Sequence, residues 1–129
     1  MISKKTKTLL MNGAMTIAEK AYAPYSGYKV GAALLCKSKK YYLNCNVENA
    51  SYSLSSCAER NVVFAAISAG EREFVALAVY VDSDRLFPPC GACRQVLAEF
   101  CDNLPIIYFN NAETVETDLE HLLPQRFKL

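Results

Sequence analysis

Histidine, the most common metal ligand in proteins, is almost missing from this sequence. The single example, His121, lies in the helix-like stretch Asp118-Leu119-Glu120-His121-Leu122, where it is interpreted as a surface residue. A metal site built on histidine is therefore not expected. Any such site in this chain has to use other side chains.

An excess of charge of one sign is missing too. Lys and Arg together number 14 against 13 for Asp and Glu, and the pI is about 7.5, so the sequence gives no support for binding a polyanion. Residues 1–15 contain no apolar signal-peptide core, and no apolar run approaches the length that a bilayer requires. We therefore expect a cytoplasmic protein whose thiols stay reduced.

Internal repeats, low-complexity tracts and Pro- or Gly-rich linkers are also absent, so residues 1–129 are predicted to form one domain. Apolar spacing predicts a first helix over 4–23, ended by Pro24. Strands joined by helices predict an α/β fold with a parallel or mixed sheet. The further predicted elements are strands over 29–36 and 41–47, a helix over 57–69, a strand over 74–82, a helix over 91–100, a strand over 104–109, a weak strand over 113–117 and a short helix over 119–123.

The cysteines of this sequence carry most of the information about its function. Six cysteines permit a disulfide framework, but a chain without a recognisable secretion signal and with 52% hydrophobic residues does not need one. Cys36, Cys45 and Cys101 lie in apolar or strand-like runs, or at the end of a helical one, and are interpreted as small buried hydrophobic residues.

The other three cysteines, Cys57, Cys90 and Cys93, lie where two predicted helices begin. The partial positive charge of a helix N-terminus stabilises thiolate over thiol, and residues three apart share one helix face. Three thiolates hold a zinc ion and leave its fourth position open for water, which is the composition of a catalytic zinc site. Glu59, two residues after Cys57, is predicted to reach that water.

A Cys-x-x-Cys pair alone would be weak support for this hypothesis. A thioredoxin-like redox motif would follow an early strand and stand alone, and a structural four-cysteine zinc site would require a second such pair. Arg60 lies three residues after Cys57, and Arg94 directly follows Cys93. Each arginine is predicted to hydrogen-bond the sulfurs and offset their negative charge.

Taken together, Cys-x-Glu followed by Pro-Cys-x-x-Cys is typical of zinc deaminases. The sequence resembles cytidine deaminases of the small, three-cysteine type from about Ala21 to Phe127. The segments that carry the resemblance are Ala23-Pro24-Tyr25-Ser26, Val30-Gly31-Ala32-Ala33, Cys45-Asn46-Val47-Glu48-Asn49-Ala50-Ser51-Tyr52-Ser53, Cys57-Ala58-Glu59-Arg60 and Pro89-Cys90-Gly91-Ala92-Cys93-Arg94-Gln95. Ser38-Lys39 departs from the Asp-Gly turn that is frequent in the family.

The resemblance implies a three-layer α/β/α fold whose mixed sheet of about five strands carries helices on both faces. It implies one zinc ion per subunit, held by Cys57, Cys90 and Cys93, with Glu59 as general base and acid. The implied reaction is hydrolytic deamination of cytidine and 2′-deoxycytidine to the uridines, within pyrimidine salvage. The implied assembly is a homotetramer with shared active sites.

The same resemblance implies the residues that bind the substrate. Tyr28 matches an aromatic residue that packs on the pyrimidine, and the backbone N–H of Ala58 matches a donor to the pyrimidine carbonyl. Phe127 matches an aromatic residue that a neighbouring subunit contributes. The segment that binds the ribose corresponds to Asn46, Val47 and Glu48.

Three alternatives remain at the level of sequence. Two are enzymes of the same superfamily, a blasticidin-S-type deaminase and a polynucleotide-editing enzyme. The small size, the balanced charge and the pair Asn46 and Glu48 favour a free nucleoside over both. The third is a non-catalytic, zinc-stabilised binding module in which Glu59 has no chemical role.

Overall fold

A computed structural model describes residues 2–129, so Met1 of the predicted domain lies outside the described residues. None of the helices in that range combines the length and the hydrophobicity that a bilayer-spanning segment requires. The helices are α1 (Lys4–Ala18), α2 (Ala58–Ser68), α3 (Gly91–Phe100) and α4 (Leu119–Leu122), and a short 3₁₀ turn spans Tyr52–Leu54. The strands are β1 (Val30–Cys36), β2 (Tyr41–Cys45), β3 (Phe74–Val81), β4 (Pro105–Phe109) and β5 (Thr114–Asp118).

The five strands form one mixed sheet in the order β2-β1-β3-β4-β5. The β3–β4 pair is parallel and the other three pairs are antiparallel. The α/β fold with a mixed five-stranded sheet, expected from the sequence, is confirmed. The β1–β2 hairpin turns at Lys39, whose φ of 73° lies in the left-handed region that glycine adopts more readily.

Successive residues of β3 face opposite sides of the sheet, and both sides are covered. Ala76, Ala78 and Tyr80 pack with α1, whereas Leu77 and Val79 pack with α2, α3 and α4. A strand that is buried on both faces reads as a continuous apolar run, which is why its sequence shows no polar alternation. The helices therefore form layers on both faces of the sheet, as expected.

The first helix is shorter than predicted. It ends at Ala18, because the chain leaves the helix to form a bridge in which Tyr22 N donates to Asn46 O and Glu48 N donates to Tyr22 O. Gly31 of β1 lies directly beneath this helix, where a Cβ atom would come within 2.0 Å of Ala14 O. Close packing of α1 on the sheet thus depends on a residue without a side chain.

The order of the strands brings the ends of β2, β3 and β4 to one edge of the sheet. Since β1 is antiparallel to both β2 and β3, and β3 is parallel to β4, these three strands point the same way. The segments that follow β2 and β3 lead into α2 and α3, so both helices begin near this edge. The residues at the two helix N-termini are thereby placed close together.

Candidate metal centre and active site

Three sulfur atoms meet at this edge. Cys57 is the N-cap of α2 and Cys90 the N-cap of α3, both in extended backbone conformation, and Cys93 lies in the first turn of α3. The Sγ atoms of Cys57 and Cys90 are 4.0 Å apart and those of Cys90 and Cys93 are 3.4 Å apart. All three lie within 4.8 Å of one another.

This spacing fits a zinc ion. Tetrahedral coordination with Zn–S bonds of about 2.3 Å places sulfurs roughly 3.8 Å apart, which the observed distances bracket. The donor set is also soft, as zinc favours, and both helix N-termini point their partial positive charge at the thiolates. With three protein ligands the fourth tetrahedral position stays free for water or substrate.

Their surroundings shift the pKa values of two of the thiols in opposite directions. Hydrogen bonds from the Cys93 thiol and from Arg60 lower the pKa of Cys57 to about 5. The same hydrogen bond to Cys57, together with burial, raises the pKa of Cys93. A lowered pKa favours the thiolate form of Cys57, which is the form that binds a metal, and a divalent cation would displace the remaining protons.

Two arginines adjoin the cysteines, and only one of them contacts sulfur. Arg60 donates from Nη2 to Cys57 Sγ at 3.3 Å, as expected, and its buried Nε has no hydrogen-bond partner among residues 2–129. Arg94 was expected to share this contact, but its Nε donates to Pro89 O and its Nη1 to Leu122 O, each at 2.7 Å. The guanidinium is held by these two carbonyls, which corrects the sequence-based hypothesis.

Glu59 is a buried carboxyl group beside the cysteine cluster. It lies in the first turn of α2 and is only 6% exposed. Burial raises the pKa of its carboxyl to about 7, and the nearby Cys57 thiolate acts in the same direction. A carboxyl with such a pKa exchanges protons in both directions near neutral pH.

Beside Glu59 and the sulfurs lies a cavity of about 130 Å³. Its polar side consists of Glu59, Asn46 and the thiols of Cys57 and Cys90. Three valines of the sheet and the phenylalanines Phe87 and Phe109 form the rest of its wall, with Ala58 and Pro88. Apolar walls with a few convergent polar groups at one end are typical of a small-molecule site.

Asn46 is buried and serves two backbone groups. Its Oδ1 accepts from Val30 N at 2.9 Å and its Nδ2 donates to Tyr28 O at 2.8 Å. A side-chain amide has two donors and two acceptor positions, so one N–H and one lone pair remain available at the cavity. Asn46 therefore holds β1 in place while keeping hydrogen-bonding capacity for a ligand.

Glu48 is anchored by the loop that precedes β1. Its Oε1 accepts from Tyr25 N at 2.9 Å and from Ser26 N at 3.0 Å, and its Oε2 accepts from the Ser26 hydroxyl. The hydroxyl contact lowers the pKa of the carboxyl. Glu48 is thus fixed as an oriented carboxylate, although it does not line the cavity within this chain.

The aromatic residues predicted from the resemblance occupy less central positions. Tyr28 packs edge-on against Phe87, with ring centroids 5.3 Å apart, and so backs the cavity wall. Phe127 is 68% exposed. The side chain of Val47 is exposed as well, while its backbone pairs with Ser56, the residue before Cys57. Ala58 follows Cys57 in the first turn of α2, where N–H groups have no intrahelical partner.

Sequence reasoning missed Phe87 and Phe109. Both look like ordinary apolar residues, and the only available signal was that Phe87 stands just before Pro88-Pro89-Cys90. Of the three cysteines interpreted as buried, Cys36 and Cys101 are buried, and burial raises the pKa of each to about 11. Cys45, the last residue of β2, is only partly buried, so that interpretation is wrong for it. His121 is an exposed residue paired with Asp118.

Comparison with known proteins agrees with this geometry. A family model for the cytidine and deoxycytidylate deaminase zinc-binding region matches residues 4–108. A cytidine deaminase of Sporosarcina psychrophila is 49% identical over 111 residues, which cover 84% of this chain and 82% of that protein. A cytidine deaminase of Halalkalibacterium halodurans is 46% identical over 123 residues, covering 94% and 93%.

The crystal structure of a cytidine deaminase from Burkholderia pseudomallei has a similar fold. It matches with a TM-score of 0.88 and 43% sequence identity, and covers 98% of this chain and 100% of that one. The three cysteines and Glu59 all lie inside the range that the family model matches.

Proposed function

The chain belongs to the cytidine and deoxycytidylate deaminase family, and from this we propose that it converts cytidine and 2′-deoxycytidine to the corresponding uridines with release of ammonia. The observation that carries this proposal is the cluster of Cys57, Cys90 and Cys93 beside the buried carboxyl of Glu59 and an apolar cavity. The activity belongs to pyrimidine salvage.

One zinc ion per subunit would be held by Cys57, Cys90 and Cys93, and when bound it supplies a Lewis acid that lowers the pKa of water to about 7. Glu59 takes a proton from the attacking water and delivers it to the ring nitrogen beside the reacting carbon. The water oxygen bonds to that carbon as a hydroxyl, and Glu59 then carries the remaining proton of this hydroxyl to the amino group. The carbon–nitrogen bond breaks, ammonia leaves and the oxygen becomes the carbonyl of the uridine. One carboxyl serves as base and then as acid, for which its burial and raised pKa suit it.

Arg60 supports this chemistry through charge. Three thiolates around a divalent cation carry a net negative charge, which weakens the cation as a Lewis acid. The Arg60 guanidinium hydrogen-bonds Cys57 Sγ and withdraws part of that charge.

Substrate recognition combines groups that line the cavity with Glu48, which does not line it within this chain. The N–H of Ala58 donates to the pyrimidine carbonyl, and Tyr28, through Phe87, shapes the wall against which the ring packs. Asn46, Val47 and Glu48 form the ribose-binding segment. The free N–H and lone pair of Asn46 and the ionised carboxylate of Glu48 supply its hydrogen bonds.

An absorbance assay with a panel of substrates tests the proposed reaction. We expect the ultraviolet absorbance of cytidine and 2′-deoxycytidine to fall as the enzyme converts them. Blasticidin S and a cytosine-containing oligonucleotide should not react. Turnover of either of those without turnover of cytidine would favour the corresponding alternative, and a zinc-loaded protein inert towards all four would favour a binding module.

A substitution at Glu48 tests the ribose-binding segment. We expect Glu48→Gln to raise KM for cytidine about tenfold or more, because a hydrogen bond to a charged group contributes roughly 1.5–3 kcal/mol. Since the proposed contact of Glu48 is with the ribose and not with the reacting carbon, kcat should change little. Steady-state kinetics of this variant beside Glu99→Gln, an exposed glutamate of α3, make the comparison. An unchanged KM would remove Glu48 from the site.

We further propose one zinc-deaminase domain over residues 1–129, assembled as a cytoplasmic homotetramer with shared active sites. One continuous sheet supports the single domain, and six free thiols fit a reducing compartment. The exposed apolar side chains of Tyr52 and Leu54, in the 3₁₀ turn that precedes Cys57, and of Phe127 support assembly. Sedimentation of the purified protein and cell fractionation test assembly and location.

A further inference from the structure

Arg94 connects two parts of the molecule that lie far apart in sequence. Its Nε donates to the carbonyl of Pro89, which directly precedes Cys90, and its Nη1 donates to the carbonyl of Leu122, where α4 ends. Both distances are 2.7 Å, which is short for hydrogen bonds from a guanidinium to carbonyl oxygens. The planar fork of arginine suits it to hold two such acceptors at once.

At the first end of this bridge, Arg94 acts on the most exposed of the three sulfur residues. Cys93 is fully buried and Cys57 accepts a hydrogen bond from Arg60, whereas Cys90 is exposed. The Pro89 carbonyl belongs to the peptide bond that links Pro89 to Cys90. A hydrogen bond to this oxygen therefore fixes the peptide plane from which Cys90 projects.

At the other end, Arg94 acts on the C-terminal segment, residues 119–127. The Leu122 carbonyl lies in the last turn of a four-residue helix, where carbonyls have no intrahelical partner and carry partial negative charge. Two more side chains hold this segment to α3: Gln95 Nε2 donates to Phe127 O at 3.3 Å, and Arg126 Nη1 donates to Cys101 O at 2.8 Å. Of these three side chains, only Arg94 also hydrogen-bonds the residue next to a cysteine ligand, through Pro89 O.

We propose that Arg94 is a positioning residue that couples the Cys90 ligand to the C-terminal segment, so that retention of zinc and order in residues 119–127 depend on each other. The proposal rests on the zinc site proposed above. The coupling also relates the Phe127 backbone to the metal ligands, because residues 119–127 contain both Phe127 and Leu122, whose carbonyl accepts from Arg94.

The rate at which the zinc-loaded full-length protein loses zinc to an excess of chromogenic chelator tests the first half of the coupling. We expect Arg94→Gln to lose zinc about tenfold faster than the unsubstituted protein, since residues that orient metal ligands typically change metal affinity 10–100-fold. The matched control is Arg72→Gln, which removes the same kind of guanidinium contact to backbone carbonyls, here Ile67 O and Glu71 O, outside both Cys90 and residues 119–127, and it should lose zinc at the unsubstituted rate.

Two outcomes of that experiment overturn the proposal: release from Arg94→Gln at the unsubstituted rate, or equal acceleration in both variants. The second would mean that arginine contacts to backbone carbonyls stabilise the protein in general. Metal analysis and the absorbance assay on the unsubstituted protein test the proposed function separately from this coupling. A protein that binds no zinc and does not deaminate cytidine would contradict the proposed function itself.

Hydrogen–deuterium exchange of the unsubstituted protein tests the other half and needs no variant. Coupling between two sites is reciprocal, so removal of zinc should accelerate amide exchange in residues 119–127. Exchange in α1, which packs on the opposite face of the sheet, should not change. Unchanged exchange in residues 119–127 on removal of zinc overturns the coupling.

Discussion

Glu59→Gln is expected to fold, to bind zinc and to lose nearly all turnover. The side chain keeps its shape, so the start of α2 and the neighbouring thiols stay in place, but an amide does not take up and return a proton at neutral pH. General acid–base catalysis contributes about 10²–10⁴ in rate, and Glu59 serves both transfers, so kcat should fall at least about a thousandfold. The loss of cytidine absorbance measures kcat, and metal analysis measures zinc.

The matched control is Glu99→Gln, which makes the same chemical change at an exposed position of α3 and should keep full activity. Near-native kcat in Glu59→Gln would show that Glu59 does not transfer the protons. If Glu59→Gln instead lost its zinc, the carboxyl would have a role in holding the metal, and the three-ligand site would have to be revised.

The metal centre could be predicted from sequence because its signals are local. A serine pair before Cys57 and prolines before Cys90 mark helix starts, and a helix start both lowers a thiol pKa and sets the spacing of Cys90 and Cys93. The α3 boundaries were predicted without error for the same reason. The sequence does not show which strands lie side by side. That strand order brings Cys57 close to the sulfurs of Cys90 and Cys93.

Long-range contacts explain the errors. The first helix ends five residues before its predicted end because Tyr22 pairs with the segment after β2, and no local pattern near Tyr22 announces that partner. Arg94 follows Cys93 in sequence, so a contact with sulfur was the local expectation. Instead, Arg94 Nη1 donates to the carbonyl of Leu122, which lies 28 positions further along the chain.

For residues that have both a structural and a ligand-binding role, the sequence predicts only one of the two roles. Asn46 was predicted from the resemblance as a ribose ligand, yet half of its hydrogen-bonding capacity is used by Val30 N and Tyr28 O. Phe87 was missed because an apolar residue in a cavity wall and one in the core have the same sequence signature. In both cases the missing information is which atoms the folded chain leaves unpaired or uncovered.

Loss of zinc is the expected result of Cys93→Ala, with activity lost alongside it. Cys93 contributes the most buried of the three sulfurs, and within residues 2–129 no other cluster of three possible ligands exists to replace it. Two thiolates leave half of the tetrahedral positions to solvent, so metal content should fall from one zinc per chain to nearly none. Ligand binding stabilises only the form that binds, so added zinc should no longer raise Tm.

Cys101→Ala is the matched control, because it removes a second buried thiol from the same helix layer without touching the cluster. It should keep one zinc per chain and full turnover, and any loss of stability should come only from the small cavity left behind. Metal analysis, thermal unfolding with and without zinc, and the cytidine assay compare the two variants. Zinc retained by Cys93→Ala, or lost from Cys101→Ala, would mean that the sulfurs at the two helix N-termini do not form the metal site.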